Sequence, residues 1–170
     1  ALDAGTTGVR ALLFNDRSEL LASAYREVLP QYPQPGWVEH DPPLIWQTAQ
    51  QVIREALTIG KVAATDLAAV GVANQRATTV VWERASGRPV APAIVWQDVR
   101  TAPRVQQLLE QGVYTNAMAS LTKIEWLLQA MPNGFTRAEA GELCFGTIDS
   151  FLIWRLTGGG PGEWLRRQGI

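Results

Sequence analysis

A chain of 170 residues suits one domain or a piece of a larger one, and 46% hydrophobic against 18% charged residues lets it bury a core. A formal net charge of −1 gives no electrostatic ground for nucleic acid or a membrane surface as partner, and no run approaches the roughly 18 apolar residues of a membrane span. The single cysteine, Cys144, excludes an internal disulfide, fits a reducing cytoplasm and, with the single histidine His40, argues against a zinc site or a Cys-His nucleophile pair.

No charged leader stands ahead of Leu2, so nothing indicates secretion. ALD and VRALLFN read as two short strands around the turn AGTTG, and SELLASAYREVL as a third strand after a turn at Asn15-Asp16-Arg17, with alternation at Leu21, Ser23 and Tyr25. Short connections make these an antiparallel meander. PQYPQPGWVEHDPP is a long irregular connection. Asp41 is a good N-cap with Pro42 at the first helical position, and Ile45, Ala49, Val52, Ile53, Ala56 and Leu57 recur at helical spacing, predicting a helix over 42–58.

DLAAVGVANQ predicts a buried strand over 67–73. TTVVWER and PVAPAIVW read as strands joined by a turn at Ala85-Ser86-Gly87. TAPRVQQLLEQG is a helix ended by Gly112, and SLTKIEWLLQAM a helix with Leu121, Ile124, Leu127 and Leu128 on one side. ELCFG is a short strand, TIDSFLIWRLTGG a helix stopped by glycines, and the tail GGGPGEWLRRQGI says little. Three antiparallel strands followed by alternating strands and helices define an α/β fold with a mixed sheet.

Three stretches offer chemistry. In Asp3-Ala4-Gly5-Thr6-Thr7, Gly5 gives conformational freedom and clearance, and Thr6 and Thr7 offer hydroxyls and N–H donors suited to phosphate oxygens. Asp3 could hold a hydrated Mg²⁺, and Arg10 could reach the same anion. The competing reading is a capped hairpin turn whose Asp accepts backbone hydrogen bonds. Neither GxxxxGK[ST] nor GxGxxG is present.

Asn74-Gln75-Arg76 ends an apolar strand, where open α/β folds place ligands; a buried Arg76 would need an acceptor, and a structural salt bridge competes with a binding role. Ile94-Val95-Trp96-Gln97-Asp98 ends another strand in an indole, an amide and a carboxylate; Trp96 is either core or, with Gln97, the lining of a polyol pocket. His40 reads as a structural loop residue ahead of a catalytic one, Cys144 as inert core, and Trp126, Trp154 and Trp164 as packing.

Taken in order, LDAGTTGVRALLFND, YPQPGWVEHDP, GVANQRATTVVWERASGRPVAPAIVWQDVRT and ELCFGTIDSFLIWRLTGG resemble the FGGY carbohydrate kinases over about residues 1–158, with the glycerol kinase branch nearest. The resemblance implies the ribonuclease-H-like fold shared by sugar kinases, actin and chaperone ATPases, with residues 1–157 an incomplete first domain and 158–170 an unassigned tail. It implies transfer of the ATP γ-phosphoryl group, with Mg²⁺, to a hydroxyl of a polyol, sugar or ketose. By the same resemblance Asp3 is the metal-side carboxylate, Gly5, Thr6 and Thr7 form the phosphate turn, Arg10 is its cationic neighbour, and Arg76, Trp96 and Gln97 are polyol contacts. The implied partner is a small molecule in the cytoplasm, and homo-oligomerisation of a full-length protein stays open.

Three departures qualify that resemblance. Ala77 stands where glycerol kinases carry a glutamate that accepts from the polyol, a loss of about 1–3 kcal/mol of binding. Asn116-Ala117-Met118-Ala119-Ser120 stands where the family has Asp-Pro-Tyr-Phe-Ser, after a segment shortened near 112–116. Both point to another polyol or a ketose. Family members are also far longer, so the general-base aspartate and the adenine pocket are expected beyond this chain, which alone should not turn over. The alternatives are a non-catalytic sugar-binding remnant and an actin-like or chaperone-like ATPase.

Overall fold

The computed structural model describes residues 1–159. Among these, in chain order, are β1 (Leu2–Ala4), β2 (Gly8–Phe14), β3 (Leu20–Glu27), β4 (Glu39–His40), α1 (Pro42–Gly60), a 3-10 turn (Ala64–Asp66), β5 (Val72–Asn74), β6 (Thr79–Glu83) and β7 (Ala93–Ile94). They are followed by α2 (Ala102–Glu110), α3 (Ser120–Gln129), α4 (Gly134–Glu139), β8 (Leu143–Thr147) and α5 (Ile148–Leu156). The chain forms two compact units, one of Ala1–Leu29 with Pro43–Gln75, the other of Pro30–Pro42 with the residues from Arg76 on. The strands form two four-stranded sheets, of which the first is mixed as expected.

The first unit's sheet runs β3-β2-β1-β5, with β1, β2 and β3 an antiparallel meander and β5 parallel to β1. Period-two patterning puts Leu2, Ala4, Val9, Ala11, Leu13, Ala22 and Ala24 on the buried face. Helix α1 contributes Ile45, Ala49, Val52 and Ala56 to the core, as its spacing predicts. Its last residue, Gly60, comes so close to β2 that an added Cβ would lie 2.5 Å from Leu13 Cδ2. The turn after β2 is held by Asn15, whose Oδ1 accepts from the amides of Arg17 (3.0 Å) and Glu19 (2.9 Å).

The strand expected over 67–73 is the shorter, later β5, and it is not buried: Ala73 is exposed, and Val70 lies outside the strand at 52% exposure. In the described residues β5 pairs with β1 alone, so an apolar run does not buy it a second neighbour or a covered face.

The second unit's sheet runs β4-β7-β6-β8, antiparallel throughout. Val81, Ile94, Leu127, Leu128 and Leu143 form its core cluster, and Phe151 of α5 meets Trp82 edge-to-face at 5.5 Å. Trp154 also meets Trp82, at 6.2 Å, and Trp126 meets Trp37 at 5.3 Å, so both are packing residues as expected. Trp164 lies outside the described residues.

Several expectations need correcting here. The proline-rich connection contains β4, whose two residues pair with β7 and bury His40, a pairing too short for periodicity to reveal. In PVAPAIVW the named strand is only Ala93–Ile94, but the expected hairpin at Ala85-Ser86-Gly87 is present: Pro89 bridges Trp82, and the Val90 amide donates to the Val81 carbonyl at 3.0 Å. On α3 the buried residues are Thr122, Lys123, Leu127 and Leu128, while Leu121 is 59% exposed. Cys144 is half-buried in β8 rather than core, and α4 was not anticipated. Helix α5 does end at glycines, with Gly158 and Gly159 both at positive φ.

Candidate functional site

In the first unit, residues 5–8 close the β1–β2 hairpin, with the Gly5 amide donating to the Gly8 carbonyl at 2.9 Å. The turn is held from behind: the Thr7 carbonyl accepts from the Val28 amide (3.1 Å) and from the Tyr25 hydroxyl (3.2 Å). Thr6 is half-buried and the Thr7 side chain is exposed. Because Ala4 pairs with Asn74 in parallel register and the Gln75 amide donates to the Ala4 carbonyl (2.9 Å), β1 and β5 end together beside this turn. Ends of parallel strands are where α/β folds gather ligands.

Gly5 corrects one expectation. Its φ is not in the left-handed region, and an added Cβ would meet only the Gly8 carbonyl oxygen at 3.5 Å, so the fold itself does not demand glycine there. The glycine that the backbone needs is Gly8, where a Cβ would fall 2.5 Å from both the Arg26 carbonyl oxygen and the Tyr25 hydroxyl. Its place opposite β3 carries no local sequence signal.

Asp3 and Arg10 are cross-strand partners on the exposed face of β1 and β2, with Tyr25 next in the row. The Arg10 guanidinium stands 5.2 Å from the Tyr25 ring centre. Among the described residues Asp3 accepts no hydrogen bond from the turn, so it does not act as a turn cap. Its carboxylate is exposed, and no group of three His, Cys, Asp or Glu that could hold a metal occurs among the described residues. A single carboxylate fits only an ion that keeps most of its water, the habit of Mg²⁺.

In the second unit, Arg76 and Ala77 form the turn leading into β6. Arg76 is exposed and, among the described residues, makes no salt bridge, which removes the structural-pair reading. Ala77 has φ 58°, left-handed for a residue with a Cβ. Thr78 is buried, and its Oγ1 accepts from the Trp96 amide at 3.3 Å. That bond ties the end of the β7 segment to the turn carrying Arg76. Trp96 is 39% exposed rather than core, and Gln97 is exposed beside it.

Three charged side chains are buried beneath this surface, Asp98, Arg100 and Lys123, and the last two carry no signal in the sequence reading. Asp98 accepts from the Val38 amide (2.6 Å) and pairs with Arg100, which also reaches Glu39 at 2.8 Å. The Arg100 guanidinium lies 3.7 Å from the Trp37 ring and 4.8 Å from the Trp126 ring. Lys123 is fully buried on α3, and its Nζ donates to the Ala77 carbonyl at 2.8 Å. Burial pushes the Lys123 ammonium down to about 8, with Asp98 pulling it up and Arg100 pushing it down.

The meander, the parallel β5 and the flanking helices define the ribonuclease-H-like architecture of sugar kinases, and solved structures agree. Plasmodium falciparum glycerol kinase with ADP superposes with a TM-score of 0.87 at 27% identity, over 94% of this chain and 34% of that one. The ligand-bound xylulose kinase of Lactobacillus acidophilus gives 0.76 at 21% identity, over 91% of this chain and 32% of that one, a likeness of fold alone. The model of the FGGY family of carbohydrate kinases, N-terminal domain, matches residues 1–164, and the chain belongs to that family. It is 50% identical to the glycerol kinase of Methylibium petroleiphilum and 48% identical to that of Acidovorax ebreus, in each case over 94% of this chain and 34% of the relative. The chain thus spans about a third of the length of the curated relatives it matches.

Proposed function

We propose that this chain supplies the phosphate turn and part of the acceptor site of an ATP-dependent polyol kinase of the glycerol kinase type. The observation that carries the reading is the hairpin turn at residues 5–8, which exposes Thr7 and is set where parallel β1 and β5 end, with Asp3 and Arg10 paired across the strands beside it. Thr6 and Thr7 would donate to phosphate oxygens, Arg10 would offset their charge, and the absence of a side chain at Gly5 would give them room. Asp3 would hold a hydrated Mg²⁺, which supplies charge neutralisation at the transferred phosphate. Phosphoryl transfer depends mainly on positioning and charge.

On the acceptor side, exposed Trp96 offers a ring face to C–H groups, while Arg76 and Gln97 offer donors to hydroxyls. Thr78 couples the two segments that present them. Ala77 lacks the acceptor that glycerol kinases place there, which favours a polyol or ketose that does not depend on it. The likeness to glycerol kinases over 94% of the chain supports the kinase reading ahead of an actin-like or chaperone-like switch.

The proton acceptor and the adenine pocket are assigned to the part of such an enzyme that this chain does not include. The test joins the chain to the remaining two thirds of the Methylibium enzyme and assays ATP-dependent phosphorylation of a polyol and ketose panel. Turnover that is lost in Asp3→Ala and Arg76→Ala supports the reading; a folded hybrid inert toward the whole panel overturns it. The 170-residue chain alone is expected to release no ADP in response to any polyol.

A further inference from the structure

A buried lysine and a strained alanine meet at the turn that carries Arg76. Ala77 holds a left-handed backbone, which for a residue with a Cβ costs on the order of 1 kcal/mol and persists only when its surroundings fix it. What fixes it comes from α3: the Lys123 Nζ donates to the Ala77 carbonyl at 2.8 Å, and Lys123 has no exposed surface at all. Thr79 Oγ1, itself bonded to Ser120 Oγ of the same helix at 3.0 Å, approaches that carbonyl at 3.5 Å. A buried ammonium is costly unless a partner uses it. Here a whole cation is spent beneath Ala77, whose chain neighbours are Arg76 and Thr78, the residue that accepts from the Trp96 amide.

We propose that Lys123 is a positioning residue for the acceptor site: it clamps the Ala77 carbonyl and so sets the direction of Arg76 and the seat of Trp96. The inference rests on the polyol reading of Arg76 and Trp96 given above. Lys123 touches neither substrate nor phosphate in this scheme. Its effect reaches them through the backbone of residues 76–78.

The test uses the 170-residue chain with Lys123→Met, which keeps an unbranched apolar side chain one atom shorter and removes the donor. Amide hydrogen exchange at residues 76–79 is expected to speed up at least tenfold, with the amides of β1 and β2 unchanged. Glycerol and a panel of larger polyols and ketoses are titrated in parallel by NMR at the Arg76 and Trp96 resonances; their dissociation constants should rise at least fivefold. Adding Ala77→Gly to Lys123→Met should restore part of the exchange protection, because glycine takes the left-handed conformation without strain.

Unchanged exchange at 76–79 in Lys123→Met overturns the clamp. So does a loss of protection spread evenly over the second unit, which would make Lys123 a general core residue. If Lys123→Met does not fold, the double variant should; failure of the double variant also to fold overturns the proposal. If no polyol binds the unaltered chain, the acceptor reading fails, and exchange at 76–79 still decides the clamp.

Discussion

The Arg100 guanidinium grips Asp98 with Nε at 3.0 Å from each carboxylate oxygen and Nη2 at 2.8 Å from Oδ2, and the two side chains are 2% and 0% exposed. The pair joins the segment after β7 to Val38 and Glu39, and the Trp37 and Trp126 rings cover the cation. Removing one partner of a buried pair leaves the other charge uncompensated. Arg100→Met should therefore cost about 3–5 kcal/mol. Arg100→Lys should not restore the loss fully, since an ammonium cannot match the planar two-point contact or the ring stacking. Trp96→Ala, at a 39% exposed position, should stay within about 1 kcal/mol. Urea titrations of the three variants give the ranking, and a mild Arg100→Met would show that the pair contributes little.

The two glycines that bound the proposed phosphate turn should behave oppositely. Gly8→Ala drives a Cβ to 2.5 Å from a main-chain oxygen, which cannot move out of the way as a flexible side-chain tip could, so about 1–3 kcal/mol of stability should be lost. Gly5→Ala meets nothing closer than 3.5 Å and should leave the thermal midpoint nearly unchanged. If Gly5 serves phosphate clearance, the same substitution should weaken nucleotide binding in the hybrid kinase. Midpoints and ADP titrations of both variants check the contrast; a Gly5→Ala variant that binds ADP normally would remove Gly5 from the phosphate site.

How much of this was legible beforehand follows from which features are local. The meander, α1 and the placement of Asn74 at a strand end follow from periodicity, caps and turn residues within a dozen positions of each other. Gly8, Lys123 and Arg100 were not legible, because each is explained by a partner far along the chain: Arg26, Ala77 and Glu39. Lys123 was masked further by its type, since lysine on a helix reads as solvent-facing and its burial shifts the apolar face away from Leu121. The division into two sheets was hidden because β4 and β7 are only two residues long. The shortness of β5 has the same root, as an apolar run does not state how many neighbours it pairs with.

Lys123 also predicts a pH dependence of stability. Its ammonium titrates near 8 in the folded chain, against 10.5 for an unperturbed lysine, with Asp98 and Arg100 the charged groups acting on it. Between those values the unfolded chain binds more protons than the folded one, so stability rises with pH across that window. Below pH 8 lysine is protonated in both states and the cost of burying the charge is constant. The rise should amount to roughly 3 kcal/mol between pH 8 and 10.5, and it should vanish in Lys123→Met. Urea midpoints of the two proteins at pH 7.5, 9 and 10.5 measure it; parallel curves would mean that the ammonium does not titrate early.

Ala77→Glu asks whether the acceptor missing from this chain decides its substrate. The position already tolerates a Cβ at φ 58°, so glutamate adds no new backbone strain beyond what alanine carries, and its half-exposed setting leaves room for a longer side chain. A carboxylate there can accept from a polyol hydroxyl, an interaction to a charged group worth about 1.5–3 kcal/mol. In the hybrid kinase, Ala77→Glu should lower the KM for glycerol by roughly tenfold or more, while the KM for ATP is unchanged because the phosphate turn belongs to residues 3–10. A polyol that the unaltered hybrid already prefers should gain less, since its binding does not wait on this acceptor. An Ala77→Glu hybrid whose glycerol KM does not move would place the specificity elsewhere, with the Met118 segment, at the family's tyrosine position, the next to exchange.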